Sequence, residues 1–492
     1  MSFSDLLAPA GLRWRIAAVT VALLGGLVWA VSLDGAAPGA DVAGLLVWLA
    51  WGFAAASVVG IGVVVAGAMA VRSFTARPGP RAMRLPPVSV LRPLSGDEPA
   101  LDAALASLCE QRYPLFQIVF GVHDAADPAL GAVERVRARF PGLDIAVVAN
   151  PALHGRNRKV CNLINMLPLA RYDTLVFSDS DLHVAPDYLE QLMSVLDAPG
   201  AGLVTTLCTG RTTVPGLAAR LGAMRITHCF LPGALLSRAL GRQDCLGTTM
   251  ALRRETLARV GGLGALVDHL ADDNVLGQRV RQLGMGVTLA GTVPATAVPE
   301  ASLAALWQHE LRWARTIRAL EPAAFAASAV QFPLAWAGLA WVCAAGPSWP
   351  AGPSWAAGLF AGAWVVRGLA QWAISRRLPP GGVLRRRDRW IAAGLLPVRD
   401  LLSVGEIAAS YFGGEVRWRG HVMRVGRDPA SGGGEGRGDG FERAALGADA
   451  EQGFGKRAAQ HQCAAEEVAP EYLGAGAGFD QGAEEGGASD AA

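Results

Sequence analysis

The chain has 492 residues, long enough for one large domain with further elements attached. Its formal net charge of +2 gives no whole-chain reason to expect a nucleic acid partner, while 52% hydrophobic against 17% charged residues points to membrane segments. Seven cysteines, scattered and without a Cys-x-x-Cys pair, fit neither a disulfide framework nor a zinc site and indicate a reducing compartment.

Residues 14–33 form an apolar stretch of spanning length flanked by Arg13 and Arg15, and read as an anchor rather than a cleaved signal. A second span is expected over 43–71, closed by Arg72, Arg77, Arg81 and Arg84. The loop between the two spans carries only Asp34 and Asp41, so the positive-inside rule puts the N-terminus and the chain after Arg72 in the cytoplasm.

From 86 to about 320 short apolar runs alternate with longer amphipathic stretches, the pattern of βαβ units and a largely parallel sheet. Strands are expected over 88–91, 117–122, 145–148, 174–177, 203–207, 248–252 and 287–290, with a helix over 98–111 ended by Tyr113-Pro114. Beyond Pro322, spans are expected over 323–346 and 354–374, followed by six arginines between Arg376 and Arg389 that mark a cytoplasmic return. Residues 390–412 are interrupted by Arg399, Asp400 and Glu406 and read as a re-entrant or interfacial segment. The resulting plan is two N-terminal spans in 1–72, an α/β domain in 73–320, further membrane or interfacial helices in 321–425, and a disordered Gly/Ala-rich tail in 426–492.

The segment YDTLVFSDSDLHVAPD organises this plan. A buried strand stops at Ser178 and delivers Asp179 and Asp181 to its carboxyl edge, where ligands sit in open α/β sheets. Two hard oxygen donors one residue apart can share a Mg²⁺ or Mn²⁺ with a substrate diphosphate, although Asp-x-Asp also occurs in ordinary turns. Asp124 closes the strand FQIVFGVHD, and Asp272-Asp273 open the helix of NVLGQRVRQLG, where acids also serve as caps. GRNRKVCNL sets Arg156, Arg158 and Lys159 at a helix start, either as a solvated basic turn or as an anion site. WQHELRWART carries His309, Arg312 and Trp313 at the membrane boundary, where an interfacial helix would have the same composition.

Taken together, VSVLRPLSGDEP, GVHDAADP, NRKVCNL, FSDSDLHVAPD, Thr248-Thr249-Met250, LADDNVLG, HELRW and VRWRGHVMR resemble the ceramide glucosyltransferase family. They resemble most its bacterial branch, which includes the glycosyltransferases of hopanoid biosynthesis. The resemblance runs from about Val88 to Val425 and implies an α/β domain of the nucleotide-sugar-dependent GT-A fold, set between N- and C-terminal transmembrane helices.

By the same resemblance Asp124 contacts the uridine, and Lys159 and Asn162 lie in the nucleotide-binding stretch. Asp179 is the second family acid. Asp181 stands where animal members have Gly, restores the Asp-x-Asp of the wider superfamily and, with Asp179, implies a divalent cation. Asp273 matches the catalytic base. His309, Arg312 and Trp313 occupy a Gln/Arg-x-x-Arg-Trp motif whose first residue is here His, and His228 matches a histidine of the animal enzymes. The implied activity is an inverting transfer from a UDP-sugar, UDP-N-acetylglucosamine or UDP-glucose, to a lipid hydroxyl at the inner membrane by a multi-pass protein. A processive polysaccharide synthase would need more spans and Gln in place of His309; a non-catalytic scaffold or transport protein would have no use for the acids.

Overall fold

The computed structural model describes residues 42–76, 84–345, 354–378, 386–418 and 421–424. The expected first span and the C-terminal tail lie outside the described residues.

Seven strands form one sheet in the order β3-β2-β1-β4-β8-β6-β9. They are β1 (Val88–Pro93), β2 (Phe116–Val122), β3 (Asp144–Ala149), β4 (Thr174–Ser178), β6 (Ala201–Thr205), β8 (Thr249–Arg253) and β9 (Gly286–Leu289). All seven coincide with the expected strands to within a few residues. Pairings are parallel except those of β8, which runs antiparallel to both β4 and β6. A smaller sheet, β5-β10-β7, is made of β5 (Leu182–His183), β7 (Thr209–Thr212) and β10 (Ala295–Val298) and was not expected from the sequence.

Alternation along each strand divides the core between the two faces of the sheet. In β4, Val176 packs with α2 (Leu101–Cys109), α3 (Ala129–Arg139) and α5 (Tyr188–Leu196), whereas Leu175 and Phe177 pack with α4 (Arg158–Met166) and α9 (Asp272–Gln282). Both faces are covered, so the parallel strands read as continuous apolar runs.

The helices outside this sandwich are α1 (Val42–Ala76), α6 (Leu217–Arg225), α7 (Leu231–Ala239), α10 (Leu303–Leu320), α11 (Pro322–Ala327), α12 (Pro333–Ala344), α13 (Ser354–Ser375) and α14 (Arg386–Ser410); α8 is the short Arg254–Arg259 beside the sheet. A π-helical turn, Ile226–Phe230, joins α6 to α7. Among the described residues one helix, Gly44–Ala76, is long and apolar enough to cross a membrane. The span expected over 323–346 is instead bent by 71° between Pro322–Gln331 and Pro333–Ala344, because Pro333 lacks the N–H that would continue the helix through Phe332. If that bent pair is one broken span, the number is two. The expected span over 354–374 forms as α13 but carries a buried arginine, Arg367, at its middle.

The segment expected to be re-entrant or interfacial is a continuous helix, α14. It is turned inside out relative to a soluble amphipathic helix. Arg399, Asp400, Ser403, Glu406 and Ser410 are buried, while Trp390, Ile391, Val398 and Leu401 are exposed.

Candidate active site

The parallel strands bring their carboxyl ends to one edge, and antiparallel β8 brings its amino end to that same edge, since Ser178 pairs with Thr249. The approach to β8, Gly247-Thr248, therefore lies beside the turn that follows β4. The Asp179 N–H donates to the Thr248 carbonyl at 3.1 Å, which fixes the start of the Asp179-Ser180-Asp181 turn. Asp181 is held from the second sheet: Thr296 of β10 donates its hydroxyl to Asp181 Oδ2.

Lys159 reaches this turn from the first turn of α4. Its Nζ lies 2.6 Å from Asp179 Oδ1 and donates to the Gly247 carbonyl at 3.3 Å. What aims it is Asn157, almost wholly buried at the N-cap. Asn157 Oδ1 accepts from the Val160 N–H at 3.2 Å, and its amide donates to the His269 carbonyl at 2.8 Å and to Asp272 Oδ1 at 3.2 Å. One side chain thus caps α4 and ties it to the start of α9.

That tie separates the two adjacent acids. Asp272 is buried and engaged with Asn157, whereas Asp273 is only half-buried. Neither caps α9, whose N-cap position is Ala271. Asp273 Oδ1 accepts from the Asn274 N–H at 2.8 Å, and its other oxygen lies against Gly247, where an added Cβ would approach to 2.8 Å. Gly247 is thus the contact between the lysine and the acid, and a larger residue there would push the Asp273 carboxylate aside.

The electrostatics follow from burying several acids around one ammonium. Burial and the neighbouring Asp272 push the Asp273 carboxyl up to about 7, against the pull of Lys159. Burial and Asp179 push Asp181 up to about 6, partly opposed by the Thr296 hydrogen bond. Burial disfavours the charge on Lys159, but Asp179, Asp272 and Asp273 outweigh it and hold its pKa above the usual lysine value. Lys159 is cationic at all physiological pH, while Asp273 is poised to exchange a proton.

Other residues singled out in the sequence are distributed around this edge. Asp124 lies in the exposed turn after β2 and accepts from the Ala126 N–H at 2.9 Å. Asn162 is buried and braces β2 through a 2.8 Å bond from its amide to the Gly121 carbonyl; it is a support beneath the edge rather than a surface open to a nucleotide. His228 lies in the π-helical turn, buried, with Nε2 at 2.9 Å from Ser375 Oγ of α13, so its bonding is to the outer helices and not to the acids. On α10, His309 pairs through Nδ1 with Glu300 and packs edge-on to Trp313, their ring centroids 4.7 Å apart. Trp313 leans on the cluster of Cys208, Ile226 and Val298, and Arg312 is half-buried on the same helix.

Sequence reading passed over several residues that build the site. Gly247 and Thr296 carry no local signature. Arg92 is fully buried on β1 and clamps the acid turn from beneath, donating to Ser178 Oγ at 3.0 Å and the Leu182 carbonyl at 3.2 Å on either side of it. A charged residue inside the VSVLRP run of a central strand was the one signal that could have found it.

Fold and site together define a mixed α/β protein whose sheet edge gathers Asp179, Asp272 and Asp273 around the paired Lys159, with Asp181 beside Asp179. A family model described as Glycosyl transferase family 21 matches residues 52–431, most of the chain, and the chain belongs to that family. Among curated relatives, the ceramide glucosyltransferase of Komagataella phaffii is 31% identical over 114 residues, 22% of either chain. Ceramide glucosyltransferase 1 of Caenorhabditis elegans is 24% identical over 217 residues, 43% of this chain and 45% of its own. The chain thus spans about half or less of the length of these relatives. A mannosyltransferase from Pyrobaculum calidifontis, solved in complex with GDP-Man and Mn2+, is 18% identical, with a TM-score of 0.43 over 74% of this chain and 99% of its own. That likeness is too remote to carry residues across.

Proposed function

We propose that the chain is a membrane glycosyltransferase of GT-A type that moves a sugar from a UDP-sugar to a hydroxyl of a membrane lipid with inversion. The observation that carries this reading is the juxtaposition, within a family 21 chain, of the Asp273 carboxyl and the Lys159 ammonium at Gly247, beside Asp179 on the carboxyl edge of the sheet, with burial raising the carboxyl to about 7 while the lysine stays charged. Asp273 takes the proton from the attacking hydroxyl, and a base with that pKa is matched to neutral pH. Lys159 keeps positive charge fixed where negative charge develops on the departing diphosphate, and Arg312 adds to it from α10.

Asp179 and Asp181 fit a divalent cation by the chemistry of their donors. Both offer hard carboxylate oxygens, and the repulsion that helps to raise the pKa of Asp181 is the kind a cation relieves. Once bound, such a cation supplies neutralisation of the leaving diphosphate. Asp124 serves the base of the nucleotide, and His309 and Trp313 line the acceptor side.

The membrane setting is supported by Gly44–Ala76 and by the exposed Trp48, Met69, Trp341, Trp364, Trp372 and Leu401 on the outer helices. We place the protein in the inner membrane as a multi-pass chain with its α/β domain cytoplasmic, a hopanoid polyol or a ceramide-like lipid as acceptor, and UDP-N-acetylglucosamine or UDP-glucose as donor. The test is to incubate membranes containing the chain with a panel of labelled UDP-sugars and identify the labelled lipid. Label that stays water-soluble with every donor rules out the reading.

A further inference from the structure

Glu310 stands inside the HELRW motif, yet the proposed chemistry does not use it. The buried residues of α10 are Leu306, Glu310 and Ala314, spaced by four, and Trp313, three positions on from Glu310, lies on the adjoining side of the same face. There both of its oxygens accept from Arg399 of α14, at 3.1 and 2.8 Å. Arg399 has no exposed surface and spends its whole fork. Its Nη2 also meets Glu406 at 2.6 Å, its Nε donates to Ser403 at 3.2 Å, and its Nη1 donates to the Leu221 carbonyl of α6 at 3.4 Å.

The next residue, Asp400, works in the opposite direction. It accepts from Arg367 of α13 at 3.3 and 3.2 Å and from the Leu334 N–H of α12 at 3.3 Å. Two consecutive residues of one inside-out helix thus bind the chain's outer helices to α10. The site-facing side of α10 is in turn fastened to the sheet edge. His309 pairs with Glu300, just beyond β10; Trp313 packs with Val298 of β10; and Thr296 of β10 holds Asp181.

Buried ion clusters contribute little net stability, since desolvation offsets most of the Coulombic gain, and replacing them by apolar groups is often neutral. A cluster that is dispensable for folding can still fix one helix rotation among several. We propose that the Arg399–Glu310–Glu406 cluster is a positioning device that sets the rotation and axial register of α10 and so presents His309, Arg312 and Trp313 correctly to the site. This rests on the reading of α10 as part of that site.

The experiment replaces the cluster, Arg399→Met with Glu310→Leu and Glu406→Leu, so that none of these three buried charges is left unpaired; Arg225, 3.8 Å from Glu406 and partly exposed, is the one neighbouring charge that loses a partner. Melting temperature, UDP binding by calorimetry and sugar transfer are measured on the full chain in nanodiscs. The expected result is unchanged melting and UDP affinity with turnover down roughly tenfold to a hundredfold, the scale of a small misplacement. Wild-type turnover in that variant overturns the proposal.

Arg399→Lys provides a second measurement should the triple variant not fold. Lysine keeps the charge but not the fork, so turnover should fall while UDP affinity holds, and wild-type turnover again overturns the proposal. Arg312→Ala, run alongside, separates the two readings. If it abolishes transfer while the triple variant is fully active, the positioning claim alone is lost. If Arg312→Ala is itself fully active, α10 is no part of the site and both fall.

Discussion

At the scale of single residues, two neighbouring aspartates of similar sequence context have different surroundings. Asp272 is spent on Asn157, while Asp273 faces Gly247 and stands within the influence of Asp272, Lys159 and Asp179. Because folding raises the Asp273 pKa from the ordinary carboxylate range to about 7, the folded chain holds a proton there that the unfolded chain has lost above about pH 4. This contribution therefore weakens folding as pH rises through that window. Asp273→Asn should raise the melting temperature of the ligand-free protein at pH 8 by roughly a few degrees, and by less at pH 5. For catalysis the sign reverses: kcat/KM should fall as pH drops below about 7, when the base is protonated. A pH profile flat from pH 5.5 to 8 would remove Asp273 from that role. Asp181→Ala should weaken Mn2+ binding measured by calorimetry without donor; unchanged binding would place the cation elsewhere.

At the scale of elements, the seven strands of the large sheet were legible because strands buried on both faces appear as uninterrupted apolar runs. The second sheet was not, because Leu182–His183, Thr209–Thr212 and Ala295–Val298 are two to four residues long with no alternation to read. The cost was Thr296, the support of Asp181. In α14 the charges that interrupt the apolar pattern have partners on α10 and α13, remote in sequence, so local reading registered an interrupted span instead of an ion cluster. Asn157 shows the same limit on α4, since its N-cap role is local and its bond to Asp272 is not. Asn157→Ala should cost about 1–3 kcal/mol, combining a lost cap with a buried carboxylate deprived of a donor, and should weaken UDP binding as Lys159 loses its aim. Thermal melts and a UDP titration read the two effects separately; full UDP affinity at reduced stability would limit Asn157 to capping.

At the scale of the whole molecule, the outer helices do two things at once. Their outward faces carry exposed tryptophans and aliphatics, and their inward faces carry the paired charges that join α13 to α14 and α14 to α10. A lipid acceptor would arrive at that junction, where HELRW lies between the acid cluster and the outer helices. With the α/β domain in the cytoplasm, Ala138→Cys, on the exposed end of α3, should resist an impermeant thiol reagent in intact cells and react after permeabilisation. Reaction in intact cells at the permeabilised rate would invert the topology.

The central claim is that Asp273 deprotonates a lipid hydroxyl for an inverting transfer. It is tested most directly by supplying labelled UDP-sugar and lipid acceptor to the purified chain in nanodiscs, with Asp273→Asn and Asp272→Asn beside it. The anomeric linkage of the labelled lipid is then determined by NMR. The account predicts a β-linked product from the unmodified chain, turnover lowered on the order of a hundredfold to ten-thousandfold in Asp273→Asn with UDP binding retained, and a far smaller loss in Asp272→Asn. An α-linked product, near-normal turnover in Asp273→Asn, or a collapse confined to Asp272→Asn would contradict it.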